Sequence, residues 1–260
     1  MRILLTGSSK GIGRAIAERL ARSGNALALC ASRPSSALDE TVAACRAAGA
    51  AVTALTGDLA DPVAPARLVS EAVAALGGLD GVVSNAGISI PGNLVDYPQE
   101  AWDRVFSVNV RSGWLLARAA YPHLAASGGG AFIAVASMSG IEPYPGVGAY
   151  SASKAALIML IRTLALEWSG SGVRANCVSP GLFLSNMTAP IYADPQKKAA
   201  REALVPLGRI GDPARDVAGL VEFMLSQDAG YITGQNVLAD GGLLGSVHAH
   251  IAGRPRSAGE

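Results

Sequence analysis

The sequence predicts a doubly wound α/β domain: one parallel sheet of about seven strands with helices on both faces. Three observations predict it. Short apolar runs alternate with longer stretches of helical period, the pattern of strand–helix–strand units with right-handed crossovers. The apolar runs lack strict apolar–polar alternation, as expected of strands covered on both faces. The first run leads straight into a glycine-rich turn, Thr6-Gly7-Ser8-Ser9-Lys10-Gly11-Ile12-Gly13, which opens the first helical stretch.

In chain order, strands are predicted at Arg2–Thr6, Ala26–Ala31, Ala51–Thr56, Gly81–Ser84, Ala131–Ala136, Arg174–Ser179 and Asn236–Leu238. Helices are predicted at Gly11–Ser23, Ser35–Ala48, Pro62–Leu76, Glu100–Ala125, Ala149–Ser169 and Pro213–Ser226. Ser127-Gly128-Gly129-Gly130 is a loop, not a domain boundary, because the alternation continues beyond it. The segment Leu182–Leu207 interrupts the pattern. It is a candidate lid over the carboxyl ends of the strands, where ligands bind in such sheets. Residues 1–245 are expected to form one domain, and 246–260, small and polar, a flexible tail.

Composition excludes several classes of function. Of 260 residues, 50% are hydrophobic and 16% charged, which argues for a sizeable core and against disorder. A net charge of +1 gives no electrostatic case for nucleic acid or an anionic membrane. No apolar run is long enough to span a bilayer. The opening Met1–Gly7 is too short for a secretion signal and reads as a buried strand. Cys30, Cys45 and Cys177 are odd in number and widely spaced, which suits neither a disulfide framework nor a metal motif and fits a reducing, cytoplasmic setting. His123, His248 and His250 share no metal-like setting, so no metal is expected.

The glycine turn points to a dinucleotide. Glycines let the backbone turn tightly and approach a pyrophosphate, and the following helix N-terminus offers free N–H groups and a positive dipole end. The spacing Gly-xxx-Gly-x-Gly differs from the usual fingerprint. Many NAD-binding folds hold the ribose hydroxyls with an acidic residue at the end of the second strand. Here that run is Leu29-Cys30-Ala31-Ser32-Arg33, without a carboxylate. Arg33 and Lys10 could contact a 2′-phosphate, and Ser32 would not repel it, so NADP(H) is favoured.

Tyr150 and Lys154 stand at i, i+4 near the start of a helix, on one face. A free tyrosine has a pKa of about 10, too high for an effective base near neutrality. A neighbouring Lys⁺ favours phenolate, and an oxidised nicotinamide would favour it further.

Across about residues 1 to 244 these motifs, in this order, resemble the short-chain dehydrogenase/reductase family. The matching residues are the Thr6–Gly13 turn, Asp58, Ser84-Asn85-Ala86-Gly87, Asn109 within Ser107–Val110, Ser137, and Tyr150 with Lys154. They continue with Pro180-Gly181, Ile232-Thr233-Gly234 and Asp240-Gly241-Gly242. The resemblance implies a Rossmann-type fold and a catalytic set of Asn109, Ser137, Tyr150 and Lys154. Tyr150 would be general acid in reduction and base in oxidation. Lys154 would lower its pKa and hold the nicotinamide ribose. Ser137 would position the substrate oxygen, and Asn109 would hold a water linking Lys154 to a proton relay. The implied cofactor site begins with Gly7, Ser9, Lys10, Gly11, Ile12 and Gly13. Ser32, Arg33, Asp58 (toward the adenine amine) and Leu59 continue it, followed by Asn85, Ala86 and Gly87. Pro180, Gly181 and Ser185 would face the nicotinamide, beside Asn109, Tyr150 and Lys154. Two positions depart from the family pattern: Ser84 stands where asparagine is frequent, and Ser185 where threonine is. Asp58 also has a plainer reading, a cap for the helix after Pro62.

Much of the resemblance is to the 3-oxoacyl carrier-protein reductase branch, whose members carry basic residues before the fifth strand and before the sixth to meet an acidic carrier. Here those places read Ala125–Gly130 and Ser169–Gly172, without a cation. Lys197, Lys198 and Arg201 could substitute from the lid. A free small-molecule ketone or alcohol is therefore expected, in a pocket drawn from Ser139, Ile141, Pro143, Tyr144, Val147, Leu182, Phe183, Met187 and Tyr192. A non-catalytic cofactor-binding sensor or scaffold is the reading from another class, and the intact catalytic set argues against it. The family also implies a homotetramer, a dimer of dimers paired through the helices near Glu100–Ala125 and Ala149–Ser169.

Overall fold

The computed structural model describes residues 1–185 and 188–246. The strands are β1 (Arg2–Thr6), β2 (Ala26–Ala31), β3 (Val52–Thr56), β4 (Gly81–Ser84), β5 (Ala131–Val135), β6 (Arg174–Pro180) and β7 (Asn236–Ala239). They form one sheet in the order β3-β2-β1-β4-β5-β6-β7, and every neighbouring pair is parallel. The chain winds outward from β1 through β2 to β3, then returns to add β4 on the other side of β1. The strand order therefore reverses between β1 and β4, the place where open sheets of this kind bind ligands.

Successive side chains of a strand point to opposite faces, and the sheet uses this to feed two cores. Ile3, Leu5, Leu27, Leu29, Val83 and Ile133 enter one core, against α1 (Gly11–Arg22) and α2 (Ser36–Ala47). Leu4, Ala28, Val82, Phe132 and Ala134 enter the other, against α3 (Ala64–Leu76), α5 (Ser112–Ala126) and α6 (Tyr150–Trp168). Helix α6 faces the sheet with Leu157, Ile161, Leu164 and Trp168, the stripe that a 3.6-residue period puts on one side. Trp168 meets the edge of Phe132 at 6.2 Å and the ring of Tyr121 at 5.1 Å. This anchors the far end of the helix whose first turn carries Tyr150.

Two predicted helices are broken. Glu100–Ala125 is instead α4 (Gln99–Phe106), a single π-helical turn over Ser107–Arg111, and α5. The extra residue of the π turn lets the Asn109 side chain bond the backbone of Ile88, and an apolar stripe in the sequence does not register it. Pro213–Ser226 divides at Val217 into α9 (Pro213–Asp216) and α10 (Ala218–Leu225). Asp216 is drawn out by two bonds from Arg209, at 2.6 and 2.7 Å.

The segment 182–207 contains α7 (Ala189–Tyr192) and α8 (Pro195–Glu202), which the sequence pattern does not reveal. Asp194 caps α8 by accepting from the N–H groups of Gln196 and Lys197. Phe183 bridges to Gly211. The expected tail, beyond Ser246, lies outside the described residues, as does Met187. No helix among the described residues is long and apolar enough to cross a membrane.

Phe132 is wholly buried and supports Trp168. Phe132→Ala is expected to lower the unfolding free energy by about 3–5 kcal/mol. Urea unfolding followed by tryptophan fluorescence checks this, and a loss below about 1 kcal/mol would remove Phe132 from that role.

Candidate active site

The glycine turn between β1 and α1 is held at the sheet's reversal point by Asn85. Its Nδ2 donates to the carbonyls of Thr6 and Gly7, at 3.1 and 3.0 Å. In return the Thr6 hydroxyl oxygen accepts from the N–H groups of Asn85 and Ala86. Gly7 has φ +64°, and a Cβ there would sit 2.9 Å from Ala86 Cα; a Cβ at Gly13 would sit 2.6 Å from Asn85 Nδ2. Both positions require glycine. The backbone thus lies against β4, and the uncapped N-terminus of α1, with no acid in its first turn, faces a cavity of about 670 Å³. Free N–H groups there suit an anion.

That cavity gathers most of the predicted cofactor residues. Gly7, Ser9, Lys10, Gly11, Ile12 and Gly13 line one part of it. Ser32, Asp58, Leu59, Asn85, Ala86 and Gly87 continue the wall, and Pro180, Gly181 and Ser185 close it with Ser137, Tyr150 and Lys154. Arg33 is exposed and Asn109 buried; neither lines the cavity. The donor set, a glycine cradle under a helix N-terminus with Lys10 beside it, fits a dinucleotide pyrophosphate.

Asp58 accepts from Ala60 N–H and from Arg104, at 3.0 Å each, and these hold its carboxyl below the usual range. It does not cap α3, whose N-cap is Val63. Arg104, on α4, lines the cavity through this pair and was not foreseen, because nothing in the sequence places α4 opposite the end of β3.

Ser137 and Tyr150 line the cavity together, and Ser137 Oγ accepts from Ser139 N–H at 3.1 Å. Lys154, one turn along from Tyr150, is buried and donates to the Val135 carbonyl at 2.9 Å. Its Nζ lies 5.8 Å from the centroid of the Tyr150 ring. Burial lowers Lys154 from 10.5 to about 8. Burial also raises Tyr150, against the neighbouring Ser137, which lowers it. This differs from the expectation that Lys154 pulls the phenol down: at this separation desolvation wins. Asn109 sits behind the pair. Its Nδ2 donates to Ile88 O and to Ser153 Oγ, at 2.9 and 3.0 Å, and its Oδ1 accepts from Ile88 N–H at 2.8 Å. A Cβ on Gly87 would lie 3.2 Å from Lys154 Nζ and 3.3 Å from Asn109 Oδ1, so Gly87, Asn109 and Lys154 form one tight group.

The chain belongs to the short-chain dehydrogenase/reductase family. The family described as "Enoyl-(Acyl carrier protein) reductase" matches residues 7–244. Dehydrogenase/reductase SDR family member 4 of Bos taurus is 40% identical over 242 residues, 93% of this chain and 86% of that protein. A structure from Sinorhizobium meliloti, provisionally described as a short-chain alcohol dehydrogenase, superposes with a TM-score of 0.90 at 36% identity. It covers 95% of this chain and 97% of its own. The Pseudomonas aeruginosa RhlG/NADP active-site complex superposes with a TM-score of 0.86 at 34% identity, covering 93% and 95%. Membership makes the chain an oxidoreductase of CH–OH and C=O groups.

Of the expected substrate pocket, Ser139, Tyr144, Val147, Leu182 and Phe183 line the cavity. Ile141 is 46% exposed, Tyr192 is buried beneath the surface, and neither they nor Pro143 line it. Thr188, Ile191 and Arg201 do, because α7 and α8 turn residues inward that the bare sequence leaves in a loop.

A lysine whose folded pKa is about 8 against 10.5 binds its proton less well folded than unfolded. Its contribution to stability is least below pH 8 and grows as the pH rises to 10.5. Relative to Lys154→Met, the wild type is expected to gain on the order of 3 kcal/mol over that window. Paired denaturant titrations across the window measure the gain, and a pH-independent difference would place the charge elsewhere.

Proposed function

We propose that the protein interconverts a free small-molecule ketone and its secondary alcohol with NADP(H), using Tyr150 as general acid and base. The observation that carries this is that Ser137 and Tyr150 stand together on the wall of the cavity that the glycine turn opens into, with Lys154 buried behind them. The reduced nicotinamide, when bound, supplies hydride to the carbonyl carbon. The rest is done by side chains of this chain. Ser137 donates to the carbonyl oxygen and fixes it. Tyr150 delivers its proton to that oxygen as negative charge develops, and its high pKa keeps the proton available at neutral pH. In the reverse direction Tyr150 must first lose the proton, which burial opposes. Ser137 and a protonated Lys154 are the groups that favour phenolate. Lys154 also holds the nicotinamide ribose. Both amide hydrogens of Asn109 are engaged, so a water joining Lys154 to solvent would rest on an oxygen of Asn109.

Lys10 on the cavity wall, Ser32 in place of a carboxylate, and the NADP in the RhlG complex support the choice of NADP(H). Arg33, exposed just beyond Ser32, would reach the 2′-phosphate from outside; Asp58 and Leu59 would face the adenine. The segment 182–207 acts as the lid, and Pro180, Gly181 and Ser185 face the nicotinamide.

A free substrate is favoured over a carrier-bound one by the charges of α8. Lys197 is matched by Asp194 at 3.2 Å and Lys198 by Glu202 at 3.7 Å, leaving little cationic rim for an acidic carrier. Trp114, Met159 and Leu166 are exposed apolar side chains on α5 and α6, which suits pairing of subunits through these helices in a homotetramer. The working setting is the cytoplasm, where the three free, buried cysteines stay reduced.

Tyr150→Phe is expected to abolish nearly all turnover of a ketone panel while NADPH still binds, as followed by NADPH absorbance and fluorescence. Near-normal turnover would remove Tyr150 from the chemistry. The wild type should bind NADPH more tightly than NADH. Lys10→Ala and Arg33→Ala should each cost about ten- to hundredfold in NADPH affinity, with NADH little changed. Equal wild-type affinities for the two cofactors would overturn the preference.

A further inference from the structure

We infer that Arg201 is a carboxylate-binding residue of the substrate site, so that the preferred ketones are keto acids. The inference rests on the reading of the cavity as a ketone reductase site, and deepens it.

Among the described residues, five charged side chains line the cavity: Lys10, Asp58, Arg104, Lys154 and Arg201. Four have an assignment. Asp58 and Arg104 neutralise each other at 3.0 Å. Lys154 is buried beside Tyr150 and bonded to Val135, and Lys10 stands at the helix N-terminus that suits phosphate. Arg201 is left over. It comes from α8, on the segment that also brings Leu182, Phe183, Ser185, Thr188 and Ile191 to the wall.

The acids that could have matched it are taken. Asp194 pairs with Lys197 and caps α8, and Glu202 pairs with Lys198. Arg201 has a ring instead: its Cζ lies 5.6 Å from the centroid of Tyr192. Tyr192 is 9% exposed, and its hydroxyl is buried without a partner among the described residues. A cation over a ring is held in place without losing its charge or its hydrogen-bond donors. A half-buried guanidinium on the cavity wall, fixed but not neutralised, is a receptor for a planar anion. Carboxylate matches its paired N–H groups, and partial exclusion of water strengthens the bond. Specificity follows from the same physics. A site built to bond a charged group discriminates against the analogue that lacks it far better than an apolar pocket discriminates by size.

The test uses 3-oxobutanoate, 4-oxopentanoate and 5-oxohexanoate with their methyl esters, which vary the distance from carbonyl to carboxylate. Substrates are compared by NADPH consumption with wild type, Arg201→Leu and Arg201→Lys. At the best chain length the acid should exceed its ester in kcat/KM by about ten- to hundredfold. Arg201→Leu should erase that advantage mainly through KM, costing the acid at least about tenfold more than the ester, and Arg201→Lys should restore part of it. An acid no better than its ester in the wild type would overturn the inference. So would an equal loss for both in Arg201→Leu, or a weakened NADPH affinity in that variant, which would assign Arg201 to the cofactor. The keto acids are also titrated into the NADPH complex by cofactor fluorescence. If no probe is reduced, saturable acid binding that Arg201→Leu abolishes would sustain the carboxylate site while the reductase reading fails, and absence of such binding would overturn the carboxylate site as well.

Discussion

The junction of β1 and β4 is the constraint on which the site depends. Because the strand order reverses there, the carboxyl ends of the two strands open a cleft that no crossover helix fills. Asn85 closes the bottom of the cleft by bonding the carbonyls of Thr6 and Gly7. Thr6 answers by accepting from the β4 side. The turn between β1 and α1 is therefore anchored to β4, which places the α1 N-terminus over the cleft. Three residues beyond Asn85, the backbone of Ile88 is held by both ends of the Asn109 amide, and Asn109 in turn donates to Ser153 on α6. Two asparagines thus tie the glycine turn, β4, the π turn and α6 into one hydrogen-bonded edge.

Helix α6 shows how the chemistry is placed on packing. The face that carries Tyr150 and Lys154 continues into Leu157, Ile161 and Trp168, so the apolar stripe that fixes the helix on the sheet also fixes the rotation of its first turn. Lys154 follows that stripe into the interior, which costs it part of its affinity for a proton. The cost is bearable because one donor reaches the Val135 carbonyl. A buried lysine on a core face is a local violation of hydrophobic patterning, and such violations concentrate where function requires them.

Much of this was legible in the sequence, and for a physical reason. The strands are short apolar runs whose burial on both faces leaves a plain signature, and each predicted strand end lies within one residue of its observed position. The glycine turn was legible because Gly7 and Gly13 have no alternative. The pairing of Tyr150 with Lys154 followed from helical spacing. What failed depends on contacts outside the local period. The π turn at Asn109 accompanies its bonds to Ile88, the break at Val217 accompanies the pairing of Asp216 with Arg209, and the Asp58–Arg104 pair spans the crossover from β3 to β4. None of these leaves a local periodicity. The direction of the Tyr150 shift is not legible either: spacing gives the distance along a helix, whereas desolvation depends on everything packed around it.

The two halves of the cavity are built differently, and this bears on how each can vary. The glycine-turn half is shaped by backbone: positive φ, close approach, N–H groups and two asparagine clamps. Such a surface recognises what all dinucleotides share and tolerates little change. The other half is shaped by side chains of short helices, α7 and α8, held by one cap at Asp194, a bridge at Phe183 and a ring under Arg201. Few backbone bonds fix these side chains, so substitution there alters the cavity without disturbing the sheet. On the proposed function, selectivity for the substrate resides in 182–207, and the unmatched charge of Arg201 weighs more there than any one apolar neighbour, since an ionic hydrogen bond outweighs the transfer of one methylene.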